Sequence, residues 1–198
     1  YNFDGKVKNC IRSAGAIGNI QNAPIEEILT GPENLATQQN MLANQPGASC
    51  YPCYELETNK RSFDIISDRI FYIKELRAVS LDTYTSGNHE LHTIDVRWSN
   101  LCNFACVYCS PEFSSQWASE RKVFAITPTH DQKDKFKQYI FDRAPKLKHV
   151  YMAGGEPLLM KENLELLELL KKTNPTVNLR INTNLSKVDT RVFESVCE

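Results

Sequence analysis

The chain has 198 residues, 41% of them hydrophobic and 24% charged, with a net charge of −1. This is the composition of an ordinary globular protein, long enough for one large domain or two small ones. A balance so close to neutral excludes the basic footprint of a nucleic-acid or membrane-surface binder. No apolar run approaches the length of a bilayer span and the first residues lack a signal-peptide pattern, so a cytoplasmic location is expected. Tyr1 rather than Met opens the chain, and Glu198 falls inside a helical pattern. Both features lead to the expectation of a fragment of a longer protein.

Residues 1–20 read as a short hairpin, with Tyr1 and Phe3 before an Asp4-Gly5 turn and Val7 and Cys10 after it. Pro24 opens a short helix carrying Ile25, Ile28 and Leu29, with Glu26 and Glu27 at its positive end. Gly31-Pro32 breaks it, and a second helix over about 33–43 brings Leu35 and Leu42. After Cys50-Tyr-Pro-Cys53, residues 54–77 repeat Phe63, Ile66, Ile70, Ile73 and Leu76 at three- and four-residue steps, which predicts a helix. The polar stretch up to Glu90 reads as a linker.

The periodicity then changes. Ile94, Val96 and Trp98 alternate with Asp95 and Arg97, a strand signature. Helices are predicted over 111–121, 131–143 and 163–172, and strands at 150–152 and 177–181. A further helix starts with Asp189 at a plausible N-cap. The order β-α-β-α-β-α implies a parallel sheet with right-handed crossovers.

Seven cysteines fall at 10, 50, 53, 102, 106, 109 and 197. An odd number in tight clusters argues for metal ligation in a reducing compartment rather than a disulfide framework. Cys197, alone in a helical pattern, reads as a small buried hydrophobe. Cys102, Cys106 and Cys109 form a C-x3-C-x2-C triplet at the end of the first long strand. Three thiolates are one too few for a closed structural zinc site, whereas an iron–sulfur cube held by three keeps one iron open. Gly154-Gly155-Glu156-Pro157 ends the second of these strands. Two glycines there let backbone approach a ligand, and a carboxylate can accept from an ammonium. Both motifs stand at the carboxyl ends of parallel strands, where such sheets bind ligands. Asp95 and Arg97 read as a local salt bridge. His89, His92, His130 and His149 are scattered and read as surface or packing residues.

The triplet followed one βα unit later by Gly-Gly-Glu-Pro resembles the signature of the radical S-adenosylmethionine (radical SAM) superfamily. The resemblance implies a partial, TIM-like (β/α) barrel, of which about three βα units lie in this chain. It implies a [4Fe–4S] cluster on Cys102, Cys106 and Cys109, its open iron chelated by the amino and carboxylate groups of S-adenosylmethionine. Reductive cleavage would release a 5′-deoxyadenosyl radical that abstracts hydrogen from a peptide, protein or small molecule. Tyr108 matches the family's aromatic near the adenine. Gly154, Gly155, Glu156 and Pro157 match its amino-group motif. Asn182 and Thr183, at the end of the third strand, stand where the family often carries a Thr-Asn pair.

Gly5-x4-Cys10, Gly18-Asn19 and Cys53-Tyr54-x-Leu56-Glu57 resemble the SPASM and shorter twitch auxiliary-cluster domains. That resemblance implies a small α+β domain with a second [4Fe–4S] cluster on Cys10, Cys50 and Cys53, its fourth ligand upstream of Tyr1. The expected organisation is an auxiliary iron–sulfur domain at 1–78, a linker at 79–91 and the first half of the barrel at 92–198. Contacts from later strands would lie beyond Glu198, so the fragment alone is expected to be inactive. The expected partner is a reductant of the flavodoxin or ferredoxin type. The alternative readings are a non-catalytic iron–sulfur electron carrier and a structural zinc module. Glu156-Pro157 after two glycines counts against the first, and the three-cysteine loop against the second.

Overall fold

The computed structural model describes residues 1–13, 15–58, 66–76, 90–124 and 126–198. They form two compact units, one of residues 1–7, 19–25 and 91–198, the other of residues 8–18 and 26–90. No helix among the described residues is long and apolar enough to cross a membrane.

The first unit is built on a three-stranded parallel sheet. Its strands, β3 (Thr93–Val96), β4 (His149–Met152) and β5 (Asn178–Ile181), lie side by side in chain order. Asp95 stands opposite Tyr151 and Tyr151 opposite Arg180, so these three share one row, as do Val96, Met152 and Ile181 in the next. One face is the core. Ile94, Val96, Val150 and Met152 are buried with Phe136, Tyr139 and Ile140 of α6 (His130–Arg143) and Leu166, Leu167 and Leu170 of α7 (Lys161–Thr173). Each of the fully buried aliphatic side chains stabilises the fold by about 2 kcal/mol.

The helix limits follow from caps. Thr129 accepts from Gln132 N–H while the Gln132 side chain accepts from Thr129 N–H, so α6 starts on a capping box. Ser114 accepts from Trp117 N–H, which starts α5 (Ser115–Arg121) four residues later than the hydrophobic pattern predicts. Likewise Thr190, not Asp189, caps α8 (Arg191–Cys197). α8 buries Val192 and Ser195. Cys197 falls off that face and is exposed, against the expectation of a buried residue.

The Asp4-Gly5 turn forms, but the partner of β1 (Lys6–Val7) is not Tyr1–Phe3. It is β2 (Gly18–Asn19). Ile20 N–H donates to Gly5 O at 2.9 Å, and the Asn19 and Gln21 side chains both donate to Asp4 O. Phe3 is buried instead, and Tyr1 stacks on Phe136 at 4.0 Å between centroids.

The second unit is helical. α1 (Ile25–Thr30) and α2 (Pro32–Leu42) meet at Gly31, with Pro32 opening α2. Leu35 and Leu42 are exposed, and the buried residue of α2 is Asn34, which donates to Leu29 O at 2.7 Å. α3 (Tyr51–Thr58) begins before Cys53, and α4 (Asp68–Leu76) restarts at Ser67, whose hydroxyl accepts from Ile70 N–H. The predicted stripe is therefore not one buried face: Ile66 precedes α4, and Ile66 and Ile73 are exposed. Phe63 and nearly all of the predicted linker lie outside the described residues.

Candidate cofactor site

The triplet loop is fastened from both sides. Behind it, Ser114 Oγ donates to Phe104 O at 2.7 Å, and Trp117 Nε1 donates to Cys106 O at 2.8 Å. Ser115 Oγ accepts from Cys102 N–H and donates to Cys102 O, both at 3.1 Å. The Ser-Ser-x-Trp run at the start of α5 thus shapes the loop, a role its sequence does not announce. Cys109 N–H closes the last turn onto Cys106 O at 2.9 Å.

In front, the chain leaving β4 runs alongside the loop. Ala153 N–H donates to Val96 O, Gly155 N–H to Ser99 O, and Glu156 N–H to Leu101 O at 2.7 Å. The approach is close enough to demand glycine. A Cβ on Gly154, whose φ is +114°, would lie 2.7 Å from Ser99 O, and one on Gly155 would overlap the Leu101 carbonyl. The two motifs that the sequence separates by 45 residues or more are therefore one structure, with Glu156 anchored one residue before Cys102.

Glu156 is 1% exposed. It accepts from Leu158 N–H at 3.1 Å, Thr183 Oγ1 at 2.5 Å and Asn184 N–H at 2.8 Å. A carboxylate offers about four acceptor sites, so roughly one remains. No lysine, arginine or histidine among the described residues is paired with it. A buried carboxylate without a counter-cation is costly, and an ammonium ligand is the chemistry that would compensate it.

The three loop cysteines are free thiols and partly exposed. Burial pushes the Cys102 thiol up, the Phe104 N–H at 3.5 Å opposes this, and negative charge on Glu156, Cys106 and Cys109 pushes it further up. A Cys102 sulfur whose ionisation is disfavoured by burial and nearby negative charge suits a positive inorganic centre, which reverses that balance. Among the described residues, no three His, Cys, Asp or Glu side chains converge as around a single ion. Tyr108 is 90% exposed, and its hydroxyl is held up by a hydrogen bond with Cys106. Val107, Phe104 and Leu101 are exposed on the same loop.

Asn182 is exposed, with its N–H spent on Met152 O. Thr183 and Asn184 make the contacts to Glu156. Asp95 and Arg97 form the local salt bridge read from the sequence, with Nε 3.0 Å from Oδ1. Pro157 is buried, and its carbonyl accepts from Asn163, whose side-chain oxygen accepts from Trp98 Nε1 at 3.0 Å. His149 is buried and His130 pairs with Asp134 at the surface. His89 lies outside the described residues.

In the second unit Cys10, Cys50 and Cys53 are also free thiols. Cys10 is exposed and Cys53 buried in α3. The Arg12 guanidinium, bonded to Asp68 at 2.6 Å, is near enough to both Cys10 and Cys53 to feel their charge. Arg69, paired with Glu57 and lying 4.3 Å over the Tyr54 ring, feels Cys53 as well.

The model of the radical SAM superfamily matches residues 96–198. Relatives include the GTP 3′,8-cyclases of Campylobacter lari, 25% identical over 43% of this chain and 24% of the relative, and of Nautilia profundicola, 26% identical over 46% and 27%. That of Sulfurimonas denitrificans is 26% identical over 42% and 24%. The chain thus spans about a quarter of the length of the curated relatives it matches. No solved structure matches it.

Proposed function

Because the chain belongs to the radical SAM superfamily, whose cofactors are a [4Fe–4S] cluster and S-adenosylmethionine, we propose that it supplies the cluster and methionine-binding part of a radical SAM enzyme. Cys102, Cys106 and Cys109 would hold the cluster, and Glu156 would take the amino group of S-adenosylmethionine. When bound, the pair supplies a 5′-deoxyadenosyl radical for hydrogen abstraction. The protein's own contribution is placement. The Leu101–Glu156 backbone bond sets the carboxylate beside the cysteine loop, and Ser114, Ser115 and Trp117 hold the loop's carbonyls. Gly154 and Gly155 let the chain after β4 run against the carbonyls of Ser99 and Leu101, and the exposed Tyr108 would offer its ring to the adenine.

The observation that carries this reading is the buried Glu156 carboxylate, with about one acceptor site left and no cation paired with it. An electron carrier has no use for such a group. The sheet would be the first part of a TIM-like barrel, and the electron would come from a flavodoxin- or ferredoxin-type donor. Cys10, Cys50 and Cys53 would carry an auxiliary cluster in a twitch- or SPASM-like unit. The relatives are named for action on GTP, but no residue described in this chain selects a nucleotide over a peptide, protein or other small molecule.

The test is turnover of the cofactor. The complete protein, reconstituted with iron and sulfide under anaerobic conditions and reduced, should form 5′-deoxyadenosine from S-adenosylmethionine. Iron–sulfur protein that forms none would leave the electron-carrier reading standing, and zinc in place of iron would sink both.

A further inference from the structure

The turn after β5 ties Glu156 to the cysteine loop through side chains that neither motif contains. Thr183 Oγ1 donates to Glu156 Oε1 at 2.5 Å and accepts from Leu185 N–H at 3.0 Å. Asn184 N–H donates to Glu156 Oε2 at 2.8 Å. The Asn184 side-chain amide donates to Asn103 Oδ1 at 3.1 Å, and its own oxygen accepts from Ser186 N–H at 2.9 Å. Asn103, the residue after Cys102, donates back to Ser186 Oγ at 2.7 Å. Leu185 sits in the left-handed region at φ +55°, a conformation that costs a leucine energy and persists only where surrounding bonds over-determine it.

We propose that residues 183–186 are a positioning clamp for the cofactor. It fixes the Glu156 carboxylate in register with the cysteine loop, so that an α-amino-acid ligand held by its ammonium at Glu156 presents its other groups to the metal on that loop. The proposal rests on the reading of Glu156 given above. Thr183 and Asn184 occupy two of the carboxylate's acceptor directions and so aim the one left for the ammonium. The Asn184–Asn103 bond transmits that aim to the loop, since any drift of Cys102 relative to Glu156 must break it. None of the four residues needs to touch the ligand.

The test measures S-adenosylmethionine affinity by equilibrium dialysis, with iron content beside it, in the complete reconstituted protein. Thr183→Val keeps the size and branching of the side chain and removes the hydroxyl. It should bind about tenfold more weakly, as expected for loss of a hydrogen bond to a charged group, with iron unchanged. Thr183→Ser should restore the affinity. Asn103→Ala and Asn184→Ala should each weaken binding with iron unchanged, and the double variant should be no worse than Asn103→Ala alone, because that change already cuts the links from Asn103 to both Asn184 and Ser186. Thr183→Val that binds as tightly as wild type overturns the clamp, as does a double variant whose losses multiply. Should Thr183→Val not fold, the asparagine cycle decides alone. Wild-type protein that takes up iron yet does not bind S-adenosylmethionine overturns the assignment of Glu156 itself, and the clamp with it.

Discussion

Glu156 N–H donates to the carbonyl of Leu101 at 2.7 Å, one residue before the first cysteine of the triplet. The parallel pairing of β3 with β4 thus continues past the strands into both motifs. A carboxylate and a cysteine that are 54 residues apart, Glu156 and Cys102, are thus brought together by main chain, to which the side-chain bonds of Thr183, Asn184 and Asn103 add, the arrangement a two-point ligand needs.

Gly155→Ala should break this junction. The new Cβ would overlap the Leu101 carbonyl, and backbone cannot swing away as a side-chain end can. We expect a loss of about 1–3 kcal/mol in stability together with reduced iron uptake, read by denaturant unfolding and metal analysis. Wild-type behaviour in both would show that the two chains do not run so close.

Cys102→Ala, Cys106→Ala and Cys109→Ala should each abolish S-adenosylmethionine cleavage, because removing one of three ligands leaves the cluster without its full attachment. Retained 5′-deoxyadenosine formation in any of the three would refute that residue's assignment as a ligand.

Asn163→Ala tests the support beneath Glu156. Asn163 is fully buried and joins Trp98 Nε1 to Pro157 O. Its loss leaves a buried donor and a buried acceptor unsatisfied and should cost about 3 kcal/mol, seen as a lower unfolding midpoint. A cost within experimental error would mean that water replaces the amide.

Lys137 of α6 donates to Glu165 of α7 at 2.9 Å. That hydrogen bond, with a further one from Lys161, holds the Glu165 carboxyl below its ordinary value of 4.5. A carboxyl whose folded value is depressed adds stability above its unfolded value and loses it as pH falls through the folded value. Glu165→Gln should therefore cost up to about 1 kcal/mol near neutrality and nothing once the pH is well below 4.5. Unfolding curves across that range check it; a gap that persists in acid would assign the effect to packing.

The periodic parts of the chain were legible from sequence. β3, α6, β4, α7 and β5 follow alternation or three-to-four spacing, and they fall within a few residues of their predicted places. The cysteine triplet and the Gly-Gly-Glu-Pro turn were legible because their spacing is dense in chemistry. The Asn103–Asn184 bond was not, since it joins residues 81 apart, and single asparagines carry no local pattern. Thr183 reads from the sequence as a cofactor contact, and its bond to Glu156, 27 residues away, has no local pattern to announce it. The pairing of β1 with β2 was missed for the same reason: a tight Asp-Gly turn signals a reversal but does not name its partner. Cap side chains moved the starts of α5 and α8, because hydrophobic periodicity says nothing of which serine or threonine faces the helix end.

Cys50→Ala with Cys53→Ala should remove about half of the iron from the reconstituted protein if an auxiliary cluster of equal size resides there, and leave the other cluster's response to S-adenosylmethionine in place. Unchanged iron would limit the protein to one cluster.

The most direct measurement is the EPR spectrum of the reduced cluster with and without S-adenosylmethionine, in wild type and in Glu156→Gln. The ligand should change the wild-type signal, and Glu156→Gln, with equal iron, should need a much higher ligand concentration for the same change. A wild-type signal indifferent to S-adenosylmethionine, or a Glu156→Gln titration identical to wild type, would contradict this reading of the site.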